Sequence, residues 1–223
     1  DMPVAVWWLG DLPNEEHDYV ETLLDCADRL IVDSSQFDSV ADLVWLDEIA
    51  KRTTTAPADL NWVRLEDWRL AAAMLFDPQE MRDRLRSIRR LSIAATGGGE
   101  TLFGYSIESL YFAGWMNAQA GVDRIGDIEY AFDLEPQSEH AGALSRVRME
   151  FDDHSEVLIA RDSAKGVLQT QVDGVALPLN CVTRVLGRAT PELIVRQLKR
   201  PEADRVFVKA LPIAAQLAAR LRA

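Results

Sequence analysis

Eleven residues, DLNWVRLEDWR from Asp59 to Arg69, hold two tryptophans, two arginines and three carboxylates. A carboxylate pair can do acid–base work, and an arginine beside an indole can grip a partner. Elsewhere the reactive types are scattered. His17, His140 and His154 lie in acidic, turn-like surroundings and lack the i,i+4 spacing of helical metal ligands. Ser34-Ser35 follows an apolar run but is not framed as Gly-x-Ser-x-Gly, so the pair reads as a local cap. Gly97-Gly98-Gly99, between a strand-like and a helix-like stretch, could offer amides to a phosphate. No Gly-Lys-Ser/Thr follows it, and the dinucleotide fingerprint is absent. Catalysis therefore has no support in the residues.

The elements that position Asp59–Arg69 follow from periodicity. Asp59 can cap a helix in which Leu65, Trp68, Ala72 and Leu75 fall on one stripe. Trp68 is expected to face the core. Arg64 can reach over Trp68, four residues on, while Trp62 lies off the stripe and Arg69 points away. Trp62, Arg64 and Arg69 are thus the candidate contact residues. The helical stretch 59–90 should break near Phe76-Asp77-Pro78.

Upstream, Val4–Leu9 is a continuous apolar run, expected to be a strand buried on both faces. Trp7 and Trp8 should then point to opposite sides, each covered. A helical 17–28, a buried strand Arg29–Val32 and a helical 40–50 follow, which predicts a parallel βαβα sheet with flanking helices. Leu91–Ala95 is a third strand candidate, and 103–120 a long helix. From Asp127 onward, alternation in 127–134 and 146–151, with turns at 152–155, 162–166 and Asp173-Gly174, predicts an antiparallel meander. Helices at 191–199 and 206–221 close the chain. The fold class is α/β, with a seam near 121–126 separating residues 1–121 from 122–223.

The chain has 223 residues, a hydrophobic share of 48% and a net charge of −12. That charge argues against nucleic acid or an anionic membrane as partner. Residues 1–140 carry 27 acidic and 11 basic side chains, residues 141–223 carry 9 and 13, which hints at two surfaces with different jobs. No apolar run reaches a membrane span, and DMPVAVWWLGDLP lacks the basic region of a signal peptide. The cytoplasm is the expected compartment. The first residue is not Met, as expected for a piece of a longer chain. Cys26 and Cys181 are too few for a disulfide scaffold or a multi-Cys zinc site. Cys26, near the apolar face of its helix, is expected to be a buried thiol.

The segments VAVWWLGDLP, RLIVDSSQF, DLNWVRLEDWRLAAAMLFD and YFAGWM, in this order, resemble the bacterial OpcA family of glucose-6-phosphate dehydrogenase assembly proteins. Trp7-Trp8, Gly10 and the Asp59–Trp68 stretch carry the most specific part, and the chain is similar to the C-terminal portion of a member. The resemblance implies a non-catalytic accessory factor with no cofactor, which binds glucose-6-phosphate dehydrogenase and promotes its assembly and activation in the oxidative pentose phosphate pathway. In cyanobacteria the family also takes part in redox control through thioredoxin, a second implied partner; Cys26 and Cys181 match no motif of the family and are candidate redox residues only as the two cysteines of the sequence. The alternative reading is a metabolite-binding regulatory domain, with a phosphorylated sugar or nucleotide at Gly97–Gly99.

Overall fold

The computed structural model describes residues 3–10, 12, 18–97, 105–121, 127–136, 142–173, 182–187, 189–200 and 202–222. It is α/β, with a three-stranded parallel sheet, a mixed six-stranded sheet and C-terminal helices. Two compact units share the chain: residues 1–64 with 188–223, and residues 65–187. This grouping does not follow a division at 121, and residues 122–126 of the expected seam lie outside the described residues.

In the first unit, β1 (Ala5–Trp7), β2 (Arg29–Val32) and β3 (Ala56–Asp59) run parallel in the order β1-β2-β3. β2 is buried along its length, as the apolar run Leu30-Ile31-Val32 requires of a central strand. β3 reads Ala-Pro-Ala-Asp and carries almost no strand signal. Its proline is tolerated because β3 is an edge, where one side needs no ladder donor. β1 is the other edge, and here the expectation of a strand buried on both faces fails. Trp7 is 44% exposed and Leu9 68%, while Trp8 is half-buried. A lone edge strand has a neighbour on one side only, so an apolar run does not guarantee cover.

Helix α1 (Asp18–Asp25) links β1 to β2, and α2 (Val40–Arg52) links β2 to β3. Ser39 caps α2 by accepting from the Ala41 amide at 3.1 Å. A short α3 (Leu60–Arg64) leaves β3 directly. The last two helices, α7 (Thr190–Leu198) and α8 (Arg205–Arg222), belong to this unit. α8 packs on α2 and buries Ala210, Ala214 and Ala218 at i, i+4, i+8.

The second unit begins with α4 (Glu66–Leu75) and α5 (Gln79–Arg84), broken at Phe76–Pro78 as expected. β4 (Ile88–Thr96) is the strand predicted at Leu91–Ala95, but it belongs to the six-stranded sheet and not to the parallel one. The chain then forms α6 (Ile107–Ala120) and returns as β5 (Glu129–Glu135), which lies parallel to β4. The antiparallel reading of the segment after Asp127 is corrected there. Alternation reports which face a side chain takes and is blind to strand direction; a helical crossover is what makes neighbours parallel. β6 (Leu144–Phe151), β7 (Glu156–Asp162), β8 (Val167–Asp173) and β9 (Val182–Arg184) follow antiparallel, in the sheet order β5-β4-β6-β7-β8-β9.

α6 is buried nearly all round, consistent with its apolar composition. Its Glu108 is buried and accepts from the Leu144 amide at 3.0 Å, so the one acid in its first turn has a donor. Leu91, Ile93, Val147, Met149, Val157 and Ile159 form the sheet's covered face. The opposite face is lined by cross-strand ion pairs such as Arg146–Glu135 at 3.0 Å and Arg148–Glu156 at 3.2 Å.

Candidate functional site

The carboxyl ends of β2 and β3 converge on one polar cluster. Asp59, the last residue of β3, is buried, and its Oδ1 accepts from the Asn61 amide at 2.8 Å and the Ser34 amide at 3.1 Å. It caps α3, as expected, and also ties the end of β3 to the end of β2. Asn61 adds a bond from its side-chain amide to Ser34 Oγ at 3.2 Å.

Asp33 follows β2 directly. Arg64 grips it with both arms, Nη1 to Oδ1 at 2.6 Å and Nη2 to Oδ2 at 2.8 Å. Ser35 adds its hydroxyl at 2.6 Å and its amide at 3.3 Å, both to Oδ1. Burial alone pushes the Asp33 carboxyl up, but hydrogen bonds from Arg64 and Ser35, with the Arg64 charge, outweigh it and hold the group below the usual carboxylate range. Charge-assisted, two-pronged pairs of this kind fix geometry as well as charge. The Ser34-Ser35 pair does serve local structure: Asp33 caps the short turn Ser34–Gln36.

Trp62 is not a surface residue. It is 1% exposed, its ring centroid lies 5.3 Å from that of Phe207 in α8, and its Nε1 donates to Asp204 Oδ2 at 3.0 Å. Lying off the Trp68 stripe turned it toward a second core, because α3 and α4 are separate helices and one stripe does not describe both. Asp204 also accepts from the amides of Val206 and Phe207 and so caps α8. Arg29, buried in β2, donates Nη1 to Gln197 O at 2.6 Å and Nη2 to Glu202 O. Burial and then the Arg200 charge pull its pKa down, with Asp204 opposing. Neither Arg29 nor Asp204 stood out in the sequence.

Trp68 is buried beside Leu65, Ala72 and Leu75, as its spacing predicted. Arg69 is half-buried on α4. The outward apolar residues of that helix are Leu70, 50% exposed, and Met74, 45% exposed, one turn apart with exposed Ala73 between them. The sequence carried a signal for them, since an apolar pair at i,i+4 lay opposite the core stripe.

Cys26 is exposed, against expectation. The helix stops at Asp25, so helical spacing no longer aims the next side chain. Cys181, Gly98, Gly99, His17 and His140 lie outside the described residues. Gly97 has a structural task. Its amide donates to Glu135 O at 2.7 Å, and a Cβ there would sit 3.1 Å from that same oxygen. His154 is an exposed turn residue with φ 64°, as its setting suggested. Among the described residues no group of three His, Cys, Asp or Glu side chains is placed to hold a metal ion. No helix among them is long and apolar enough to cross a membrane.

Residues 55–211 match the family model described as the C-terminal domain of the glucose-6-phosphate dehydrogenase subunit. A "Putative OxPP cycle protein OpcA" from Synechocystis sp. is 35% identical over 116 residues, 52% of this chain and 23% of that protein. One of the same description from Synechococcus elongatus is 32% identical over 121 residues, 54% of this chain and 25% of that protein. The aligned part is thus about a quarter of the length of these relatives. Among solved structures, a 3-ketoreductase from Actinomadura kijaniata, in complex with NADP and TDP-benzene, superimposes with a TM-score of 0.53 at 10% identity, covering 98% of this chain and 77% of that one. A UDP-N-acetylglucosamine 3-dehydrogenase from Acidithiobacillus ferrooxidans gives 0.50 at 11% identity, covering 96% and 77%. Both are similar in fold.

Proposed function

The chain belongs to the family defined by the C-terminal domain of the glucose-6-phosphate dehydrogenase subunit, and from that premise we propose that it is part of a non-catalytic accessory protein that binds glucose-6-phosphate dehydrogenase and favours its assembled, active form. The family match over residues 55–211 carries this reading, supported by relatives described as OxPP cycle proteins. An activator acts only by binding the active form more tightly than the inactive one. The contact surface we assign is the outward face of α4, with Leu70 and Met74 as apolar anchors and Arg69 beside them. Arg64 is committed to Asp33 and Trp62 to the core, so neither belongs to that surface.

The test mixes the chain with the dehydrogenase from its own organism, measures the complex by size-exclusion chromatography with light scattering, and assays NADPH production in the same fractions. A larger, more active species supports the reading, and loss of it in a folded Leu70→Glu/Met74→Glu variant locates the surface. No association at micromolar concentrations, for this chain and for the full-length protein alike, sinks it. A redox arm rests on exposed Cys26: a disulfide formed there with a second thiol under oxidation is the bond that the thioredoxin dithiol would reduce, itself becoming a disulfide. Cys26→Ser leaving the oxidation response of activation unchanged removes that arm.

A further inference from the structure

The fold neighbours belong to an architecture that holds dinucleotides at the carboxyl ends of a parallel sheet. Three features make such a site: a glycine-rich turn after the first strand, the N-terminus of the following helix for the pyrophosphate, and an acid at the end of the second strand for the ribose hydroxyls. Of these places the described residues include the end of β2, and the sequence gives the residues that follow β1.

After β1 the chain reads Gly10-Asp11-Leu12-Pro13-Asn14-Glu15-Glu16. Where the fingerprint sets its second glycine, so that backbone can approach the pyrophosphate, stands Leu12, a buried side chain. Where it sets the third stands Glu15, next to Glu16.

The acid at the end of β2 is present as Asp33, but it is taken. Oδ1 accepts from Arg64 Nη1 at 2.6 Å and from both the hydroxyl and the amide of Ser35, and Oδ2 accepts from Arg64 Nη2 at 2.8 Å. A ribose diol binding Asp33 would compete with the guanidinium, and one that displaced it would exchange a two-pronged ionic pair for neutral hydrogen bonds and leave a partly buried arginine without its carboxylate. The neighbouring acid, Asp59, is buried, and its Oδ1 accepts from the Ser34 and Asn61 amides.

We infer that Arg64 stands in the ribose's place: the dinucleotide crevice of this fold is sealed from within by the Arg64–Asp33 pair, and the chain keeps the architecture of an oxidoreductase without its cofactor site. The most recognisable stretch of the sequence then gains a function, because α3 exists to carry Arg64 back to the end of β2. This inference concerns a nucleotide and is independent of the partner reading.

Two measurements on the intact chain test it. NADPH is titrated with its own fluorescence as readout, followed by NADP+ and NAD+ in a calorimeter. No saturable binding is expected up to about 1 mM, a dissociation constant at which any binding free energy is small. Saturable NADPH binding that NADP+ competes away overturns the inference. The second measurement is the melting temperature of Arg64→Ala, expected to fall by ~5 °C or more, and of Arg64→Lys, expected to fall between that and wild type. Millimolar ethylguanidinium should raise the melting temperature of Arg64→Ala, whereas NADPH should not. A fully stable Arg64→Ala, or one that NADPH stabilises and ethylguanidinium does not, overturns the assignment of Arg64 as the occupant. If Arg64→Ala does not fold, the Arg64→Lys melting temperature and the wild-type titrations carry the same two outcomes.

Discussion

Replacing Trp62 by Phe separates the two ways this residue could matter. The substitution keeps a ring against Phe207, whose centroid is 5.3 Å away, and removes the indole N–H that reaches Asp204 Oδ2 at 3.0 Å. A hydrogen bond to a charged acceptor contributes about 1.5–3 kcal/mol. The smaller ring leaves part of a well-packed site unfilled, which costs about 1 kcal/mol more. The expected loss is therefore about 3 kcal/mol. With a urea slope of roughly 2 kcal/mol/M for a domain of this size, the midpoint should fall by about 1.5 M. Asp204→Ala removes the same acceptor and also the cap on the Val206 and Phe207 amides, so it should cost about 1 kcal/mol beyond the shared bond. Because the two changes remove one bond between them, the double variant should lose about 1.5–2 kcal/mol less than the sum of the singles. Circular dichroism during urea unfolding reads all three. Trp62→Phe within about 0.5 kcal/mol of wild type, or additivity of the pair within that margin, refutes the reasoning and makes Trp62 a surface residue again.

Acid should weaken the first unit through Asp33. Its folded pKa lies below the unfolded value of about 3.9, so the stability it contributes is present above that pH and is lost as pH falls through the folded pKa. Urea midpoints between about pH 5 and 3 should fall in wild type and fall less steeply in Asp33→Asn; parallel curves would show that this carboxylate contributes nothing. Gly97→Ala should cost about 1 kcal/mol or more, because its Cβ would press on the Glu135 carbonyl oxygen at 3.1 Å, backbone that is itself held in the sheet. An unchanged melting temperature would mean that the strand ends give way freely. Cys26 should react with iodoacetamide in the native state, peptide mapping should find the label there, and Cys26→Ser should shift stability by less than about 0.5 kcal/mol. Protection of Cys26 until denaturant is added would contradict its exposure.

Much of the architecture was legible because periodicity is a local signal. The stripe Leu65, Trp68, Ala72, Leu75 put Trp68 inside, the break at Asp77-Pro78 fell where proline ends a helix, and the alternation of β6 marked which of its residues the sheet buries. Asp59 as a helix cap was equally local, since donor and acceptor are two residues apart. What escaped depends on partners far along the chain. β3 has the composition of a turn and becomes a strand only because β2 offers it a ladder. β5 alternates like its neighbours, and its parallel direction comes from the α6 crossover. Trp62 needed Asp204 and Phe207, 142 and 145 residues away, before its burial had a cause. Arg64 was read as a contact residue with Trp68 for a neighbour, where the fold supplied Asp33, 31 residues back. The sequence by itself determined most of the elements, the family and the acidic character of the chain. Tertiary structure alone decided which charges meet and which aromatic rings are hidden, because pairing and burial are set by distance in space, and neither is a property of one stretch of chain.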